Sequence, residues 1–441
     1  MLYKAKIGLL CIGLDGERLD YAEKFENTAR EHLKDIEILN GPGILTKRQD
    51  IIGAAKELES KGAQAIIYLV GTWILADGVV DAIWQTPRLP VAIWGIPEPT
   101  SFSSVGANVL HGALCEMDIP HKLLNGLPDD GDTISEIIDY CAAAMTSVRL
   151  RGARLGLIGG RAISAYPTAA DPNQIKALFG VEVDHIDQMV VLEKARAIGD
   201  ADALYRFQEI KNNYKSFDAP EDLIIKSMKV NMAIEQVMEE YQLDMASIKC
   251  LGDFINMYTA CCMAVSLSNG AEKVLSCQSN VNATLSMYIL KLLSGDSVTF
   301  GDVSTVDYKT KEVRVITCGA MPVEMAESPK DIRWIPQYEY MGEGLGICPL
   351  FCMKEGPVTF GYLGRRKGEY EMLIASAKAF KKQVEELVSV RTWPQGFMVI
   401  DGDPRAFYHN ILSNHSVWGY GELSRRLLEF CELYPIKTVL I

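Results

Sequence analysis

The sequence predicts a three-domain α/β protein, with two doubly wound parallel-sheet domains followed by a β-rich C-terminal domain. Its 441 residues exceed what one domain usually holds, and 48% of them are hydrophobic, which is enough to build several cores. Short apolar runs alternate with helical patterns at first, the alternation restarts near Arg151, and alternating strands begin after Gly295. We therefore place the domains at 1–150, 151–299 and 300–441.

Four short apolar runs in the first domain predict strands that are buried on both faces. They are Ile7–Ile12, Ile36–Leu39, Ala65–Val70 and Val91–Trp94. Amphipathic patterns at Tyr21–Leu33 and Asp50–Lys61 predict helices between the first three strands. Strand, helix and strand in succession predict right-handed crossovers and a parallel sheet, whose ligands collect beyond the carboxyl ends of the strands.

The second domain begins with a predicted strand at Arg154–Ile158, followed by the pair Gly159 and Gly160. This pair favours a tight turn over a phosphate loop, because the Lys-Ser/Thr that completes a P-loop is missing. Further predicted elements of this domain are a strand at Val181–Val183 and helices at Asp171–Phe179, Asp200–Tyr214 and Pro220–Tyr241.

In the third domain, period-two alternation at Val298–Asp302 and Glu312–Thr317 predicts antiparallel strands. The chain ends with a predicted helix at Gly421–Leu433 and a predicted strand at Thr438–Ile441.

Charge and cysteine content restrict the class of protein. The 44 Lys and Arg residues against 57 Asp and Glu residues give a net charge of −13, which repels phosphate backbones and excludes nucleic acid as a general partner. Eleven cysteines without a CxxC pair indicate reduced thiols and a cytoplasmic protein, in which Cys261 and Cys262 pack rather than react. The apolar stretch Phe254–Ala271 is interrupted by polar residues, so we expect no membrane span.

Several segments, in chain order, share the pattern of one known family. They are Thr72-Trp73, Gly106-Ala107-Asn108, Cys115, Arg154–Ile158 with Tyr166-Pro167-Thr168, Ser276-Cys277-Gln278-Ser279-Asn280, Phe300-Gly301-Asp302 and Ile316-Thr317-Cys318-Gly319. Together, over most of the chain, they resemble the L-fucose/L-arabinose isomerase family. The resemblance therefore implies an L-fucose isomerase-like fold.

The resemblance also implies an aldose–ketose isomerase that binds Mn²⁺ or another divalent metal such as Co²⁺ or Mg²⁺. Family members hold the ion with two carboxylates and one histidine, and they form hexamers or similar homo-oligomers, such as trimers, with active sites between subunits. On this chain Asp302 matches the second carboxylate and His415 the histidine, which implies a Gln278–Asp302–His415 metal site with Asp302 and Gln278 as catalytic residues. We expect His415 in a loop before a turn at Trp418–Gly421.

Three residues depart from the family pattern. Gln278 stands where the family has glutamate, Asn280 replaces an aspartate, and Thr317 replaces a histidine. Glutamine offers a carbonyl oxygen to a cation but carries no charge and takes no proton.

Three interpretations stay open. The chain is a divergent isomerase with Asp302 as its base; another acid, such as Asp253 or Glu324, substitutes for the lost glutamate; or the chain binds a sugar and has lost or altered the reaction.

The substrate is predicted to be a sugar, because aromatic faces beside fixed polar groups are what a sugar pocket requires. The predicted substrate-binding residues are Trp73, Arg333, Trp334, Asn414 and Trp418, and the further aromatic candidates are Trp94, Tyr338, Tyr340 and Trp393. The cluster Arg365-Arg366-Lys367 is either an exposed turn or an anion clamp, since guanidinium groups bind sulfonate and phosphate bidentately. A clamp would suit an anionic sugar, such as a sulfosugar resembling sulfoquinovose or a sugar phosphate.

Overall fold

The computed structural model describes residues 3–162, 164–269, 273–337, 345–383, 387 and 393–441, so Tyr338 and Tyr340 lie outside the described residues. The chain forms two compact units. One comprises Tyr3–Arg149 with Leu428–Tyr434, and the other comprises Leu150–Leu427 with Pro435–Ile441. The second unit contains most of the predicted second and third domains, and the three-domain division stays a prediction. No helix of the described residues combines the length and apolarity needed to cross a membrane.

The first unit is built on a five-stranded parallel sheet in the order β2-β1-β3-β4-β5. Its elements are β1 (Lys6–Ile12), α1 (Leu19–His32), β2 (Glu37–Asn40), α2 (Arg48–Ser60), β3 (Ala65–Val70), α3 (Asp77–Gln85), β4 (Val91–Gly95), α4 (Ser103–Glu116), β5 (Lys122–Asn125) and α5 (Gly131–Leu150). Every residue of β3 is buried, because helices cover both faces of the sheet. The four predicted strands and both predicted helices are confirmed to within two residues.

The second unit begins with a four-stranded parallel sheet in the order β10-β9-β6-β7. Its elements are β6 (Arg154–Ile158), α6 (Pro172–Phe179), β7 (Glu182–Ile186), α7 (Gln188–Ala197), α8 (Asp200–Ile210), β8 (Ser216–Phe217), α9 (Glu221–Glu240), β9 (Met245–Ile248), α10 (Asp253–Met257), α11 (Cys262–Ser268), β10 (Val274–Cys277) and α12 (Val281–Ser294). The chain leaves β6 towards β7 on one side and continues from β9 to β10 on the other. The carboxyl ends of β6 and β9 therefore flank a switch point, where such sheets bind ligands.

The same unit continues as an antiparallel β-rich region. Its elements are β11 (Val298–Val306), β12 (Glu312–Ile316), β13 (Arg333–Pro336), β14 (Ile347–Leu350), β15 (Gly356–Arg366), β16 (Glu369–Phe380), β17 (Gln395–Ile400), α13 (Pro404–His409), β18 (His415–Tyr420), α14 (Ser424–Glu432) and β19 (Lys437–Leu440). From Leu428 onward, α14 belongs to the first unit. Six strands follow one another as β15-β18-β11-β12-β17-β16, and β16 pairs back with β15 to close a barrel. The expectation that His415 lies in a loop is wrong, because it begins β18, and the predicted turn at Trp418–Gly421 is strand as far as Tyr420.

Gly301 allows three parts of the barrel to approach closely. A Cβ at this position would lie 2.6 Å from the carbonyl oxygen of Ile316 and 2.9 Å from side-chain carbons of Thr317 and Trp418. Since the carbonyl oxygen belongs to the backbone of the neighbouring strand, it cannot move aside without disturbing the pairing of β11 with β12.

We expect Gly301→Ala to lower the free energy of unfolding by about 1–3 kcal/mol, the usual effect of overpacking a core. Gly160→Ala is the matched control, because nothing lies within 4 Å of its added Cβ. Urea unfolding followed by tryptophan fluorescence measures both variants. Equal unfolding midpoints for the two variants would contradict the assigned packing.

Candidate active site

The barrel brings Asp302 and His415 together, as the sequence predicted. Antiparallel pairing of β11 with β18 places the two residues opposite each other. His415 Nε2 lies 4.0 Å from Asp302 Oδ1, with the imidazole 1% and the carboxylate 35% exposed. The pair therefore consists of a buried ring beneath a carboxylate that solvent and a ligand can reach.

Asn280 connects this pair to the parallel sheet. It is the N-cap of α12, where its Oδ1 accepts a hydrogen bond from the backbone N–H of Ala283 at 3.0 Å. Its Nδ2 lies 2.8 Å from His415 Nδ1. Because the cap occupies the oxygen, the amide nitrogen must donate to His415 Nδ1. The neutral imidazole then carries its proton on Nε2, the atom that faces Asp302.

His415 stays neutral in this setting. Burial lowers its pKa, and the negative charge of Asp302 acts in the opposite direction. The Phe300 ring meets the imidazole edge to face, with ring centroids 5.2 Å apart. The site therefore contains an uncharged N–H donor beside a carboxylate.

Asn414 orients the carboxylate. Its Nδ2 donates a hydrogen bond to Asp302 Oδ1 at 3.0 Å. The backbone N–H of His415 donates to Ser413 Oγ at 3.2 Å, which fixes the start of β18. Asn414, predicted to bind substrate, thus lies in direct contact with the predicted catalytic acid.

Gln278 lies two residues before Asn280, in the turn after β10. Gln278 and Ser279 both adopt left-handed backbone conformations, with φ values of 62° and 50°. Such conformations cost a non-glycine residue energy and cluster at functional sites. Gln278 Nε2 donates to Cys318 Sγ at 3.5 Å, while its Oε1 is buried without a hydrogen-bond partner. An unpaired buried carbonyl oxygen of this kind is available to a cation or a hydroxyl group.

Beside Gln278 lies a small cavity whose lining includes four thiols. Its volume is about 20 Å³, enough for one water molecule and too small for a sugar. Its lining includes Cys250, Cys262, Cys277, Cys318, Gln337 and Trp393. The hydrogen bond with Cys318 and burial raise the pKa of Cys277 well above its usual value, so its thiol is protonated at neutral pH. Cys261 and Cys262 are buried, as packing residues are.

The predicted aromatic and cationic residues are dispersed. Trp334 and Trp418 are fully buried in one apolar cluster of the second unit. Arg333 forms an ion pair with Asp218 at 2.8 Å. Trp73 is half-buried in the first unit. Of the four predicted substrate-binding residues in the second unit, Asn414 is the one that contacts Asp302.

The two acids considered as substitutes for the family's glutamate, Asp253 and Glu324, both interact with lysine side chains. Asp253 forms an ion pair with Lys249 at 3.2 Å and is 69% exposed. Burial raises the pKa of Glu324, with Lys291 and Lys354 acting in the opposite direction.

Arg365 is the partly buried member of the basic cluster. Its guanidinium carbon lies 5.8 Å from the centroid of the Tyr370 ring, and its Nε is buried without a hydrogen-bond partner. By contrast, Arg366 forms an ion pair with Glu371. The Tyr370 hydroxyl donates to Asn282 Oδ1 at 3.4 Å, so Arg365 is linked through one tyrosine to the first turn of α12, which Asn280 caps.

Asn280, Asn282 and Tyr370 were not among the predicted site residues. Asn280 does carry a sequence signal, since asparagine before a long apolar run is a preferred N-cap. Nothing comparable in the sequence marks Tyr370, because its contact depends on the hairpin between β15 and β16.

No family model matches this chain. The curated relatives that it matches are sulfoquinovose isomerases. It is 23% identical over 370 residues to the one from Alkalicoccus urumqiensis, with 82% of each chain covered. It is 20% identical over 432 residues to the one from Priestia aryabhattai, with 95% of each covered. A third, from Clostridium sp. (strain MSTE9), is 20% identical over 375 residues, covering 79% of this chain and 80% of the relative.

Among solved structures, the matches include sugar-binding proteins. GanP, a glucose-galactose binding protein from Geobacillus stearothermophilus, aligns with 58% of this chain and 81% of its own at 13% identity and a TM-score of 0.18. AraP, an arabinose binding protein from the same organism, aligns at 8% identity over 58% of this chain and 78% of its own, with a TM-score of 0.16. These scores are too low to establish a shared fold.

Proposed function

We propose that this protein is an aldose–ketose isomerase that acts on sulfoquinovose or a closely related sulfosugar. The observation that carries the proposal is the partly exposed Asp302 carboxylate beside the buried, neutral His415 imidazole. Its support is the similarity to sulfoquinovose isomerases over 79–95% of the chain. The L-fucose isomerase-like classification, a cytoplasmic location and a hexamer or trimer with intersubunit sites belong to the same proposal.

In this proposal Asp302 moves the proton. Its carboxylate takes the proton from C2 of the open-chain aldose, O1 gains a proton, and the enediol forms. The same carboxylate then returns a proton to C1 as O2 loses its own, which gives the ketose. Asn414 holds Oδ1 in place, and the His415 Nε2–H stabilises the oxygen on which negative charge develops.

A divalent ion of the Mn²⁺ class is the second part of the proposal. Asp302 would supply a carboxylate, Gln278 its unpaired Oε1 and His415 a ring nitrogen, and these are donor types that divalent cations of this class accept. When bound, such an ion stabilises the enediolate charge as a Lewis acid.

Asn280 weakens this ion binding. A metal at His415 Nε2 requires the ring proton on Nδ1, where it would face the Nδ2–H donor of Asn280. Gln278 adds no charge to compensate. We therefore expect the ion to bind weakly and exchange readily, with His415 acting as an N–H donor whenever the ion is absent.

The amides at positions 278 and 280 also favour a second candidate function, which is sugar binding without turnover. The two functions differ in one measurement. An isomerase converts sulfoquinovose to a ketose, whereas a binding protein gives a calorimetric titration with sulfoquinovose and no ketose product.

We expect the wild-type protein with Mn²⁺ in deuterated water to convert sulfoquinovose to a deuterium-labelled ketose, as detected by NMR. Asp302→Asn should lower kcat by about 10²–10⁴-fold, because it removes the general base. Asp222→Asn, an exposed acid in the first turn of α9, is the matched control and should keep full activity. Full turnover by Asp302→Asn would overturn the assignment, and product without label would indicate hydride transfer instead.

We expect Asn280→Asp to tighten Mn²⁺ binding by at least about 10-fold, the range found for partners of metal-binding histidines. A carboxylate accepts from both the Ala283 N–H and the His415 Nδ1–H, which frees Nε2 for the metal. Adding Gln278→Glu should tighten binding further by restoring a charge. Calorimetry measures each affinity, and in an Asp302→Asn background the gain should disappear. Unchanged affinity in both variants would remove these positions from the metal site.

Arg365 is our candidate for contact with the sulfonate. It is a cation with an unpaired buried nitrogen in a protein of net charge −13, and Tyr370 links it to the helix that Asn280 caps. A sulfonate presents three oxygens that a guanidinium group can bind bidentately.

We expect Arg365→Ala to lower the ratio of kcat/KM for sulfoquinovose over that for glucose by about 10–100-fold, since hydrogen bonds to charged groups contribute about 1.5–3 kcal/mol. Lys367→Ala, on the exposed turn of the same hairpin, is the matched control and should leave the ratio unchanged. Equal ratios in wild type and Arg365→Ala would place the sulfonate elsewhere.

A further inference from the structure

Three metal-ligating side chains converge in the first unit, in a place that the proposed isomerase does not use. His111 and Cys115 lie four residues apart on α4, and therefore on one face of that helix. His121 follows in the loop that leads into β5. One ligand atom from each of the three residues lies within 4.8 Å of the others, and no other such group of His, Cys, Asp or Glu occurs among the described residues.

Two of the three ligand-to-ligand distances in this group are close to those of a tetrahedral metal site. Cys115 Sγ lies 3.7 Å from His111 Nδ1, and His111 Nδ1 lies 2.8 Å from His121 Nε2. Zinc bonds of about 2.3 Å to sulfur and 2.0–2.1 Å to nitrogen give tetrahedral edges of about 3.6 Å and 3.3 Å. The Cys115–His111 distance already matches such an edge, and the two nitrogens must separate by about half an ångström to match theirs.

A backbone carbonyl group holds His121 in the orientation that a ligand needs. His121 Nδ1 lies 2.7 Å from the carbonyl oxygen of Ile119, to which it donates a hydrogen bond. The lone pair is then on Nε2 and is directed at His111. A backbone carbonyl oxygen is a usual hydrogen-bond partner for the nitrogen of a metal-bound histidine that does not bind the metal. Without an ion, a proton from His111 occupies the space between the two nitrogens.

Accessibility distinguishes Cys115 from the other thiols. All eleven cysteines lie in the described part of the chain, and Cys115 is the exposed one. A cation can reach it from solvent and bind it as a thiolate, releasing the thiol proton.

We propose that His111, Cys115 and His121 bind a zinc-class cation, with the fourth position open to water. Two imidazoles and one thiolate favour Zn²⁺ and Co²⁺ over the oxygen-preferring Mn²⁺ and Mg²⁺. The ion would join the last turn of α4 to the segment preceding β5. This site is independent of the proposed isomerase, because it uses none of its residues.

Titration of the full-length protein with Co²⁺ tests the proposal. We expect visible bands of tetrahedral cobalt together with a sulfur-to-cobalt charge-transfer band, and displacement of both by Zn²⁺. Cys115→Ser should remove the charge-transfer band and weaken Co²⁺ binding at least about 100-fold, more than the loss of an outer partner costs. His32→Ala removes another histidine of the same unit and is the matched control, with unchanged spectra expected.

Alkylation of the wild-type protein provides a second readout that needs no variant. Zn²⁺ should slow the labelling of Cys115 by iodoacetamide, as quantified by mass spectrometry of its peptide, whereas Mg²⁺ should not. A charge-transfer band that survives in Cys115→Ser would overturn the proposal. Two further results would overturn it: labelling of Cys115 that saturating Zn²⁺ does not slow, or a dissociation constant for Zn²⁺ in the millimolar range.

Discussion

The amide group of Asn280 decides the chemistry of the candidate active site. Its oxygen caps α12 and its nitrogen faces His415, so the same side chain fixes the start of a helix and the tautomer of an imidazole. An aspartate in this position would perform the first task equally well and reverse the second. The Nδ2 atom of Asn280 therefore places the proton of His415 on Nε2. The same proton makes Nε2 less available to a metal.

Charge has a different effect on this protein at long and at short range. The net charge of −13 disfavours an anionic substrate at a distance, but salt screens such fields beyond about 8–10 Å. What matters to a sulfonate at contact is a nearby cation without an anionic partner. Arg366 is already paired with Glu371, whereas Arg365 keeps an unpaired buried nitrogen. Two adjacent arginines thus differ in what they offer, although the sequence presents them alike.

The sequence predicts the parallel sheets well and the barrel only in part. Runs such as Ala65–Val70 are apolar throughout because helices cover both faces, and this pattern is unambiguous. The polar residues before Val417 are typical of a loop, but His415 and Ser416 belong to β18. Asn280 hydrogen-bonds the His415 ring and Ser413 accepts from the His415 backbone N–H, so these polar groups have partners outside the strand. Closure of the barrel depends on pairing between strands distant in sequence, which local patterns do not encode.

The candidate site was predicted to a similar extent. Asp302 and His415 came from family resemblance, and the structure brings them together. Trp334 and Trp418 failed as guides to a pocket, because a large apolar ring satisfies a core as well as a sugar, and both lie in the core. The Asn280 bond was beyond sequence reasoning, since it joins residues 135 positions apart.

The ladder between β11 and β18 ends at the pair formed by Asp302 and His415. Side chains of a strand alternate between its two faces. Adding or removing one residue within the paired segment of either strand would therefore turn one partner to the opposite face. The connection between α13 and β18 can then differ in length before Ser413, whereas Ser413 and Asn414 must keep their places beside this pair. Related proteins cannot gain or lose a residue within these two strands and keep an acid opposite an imidazole.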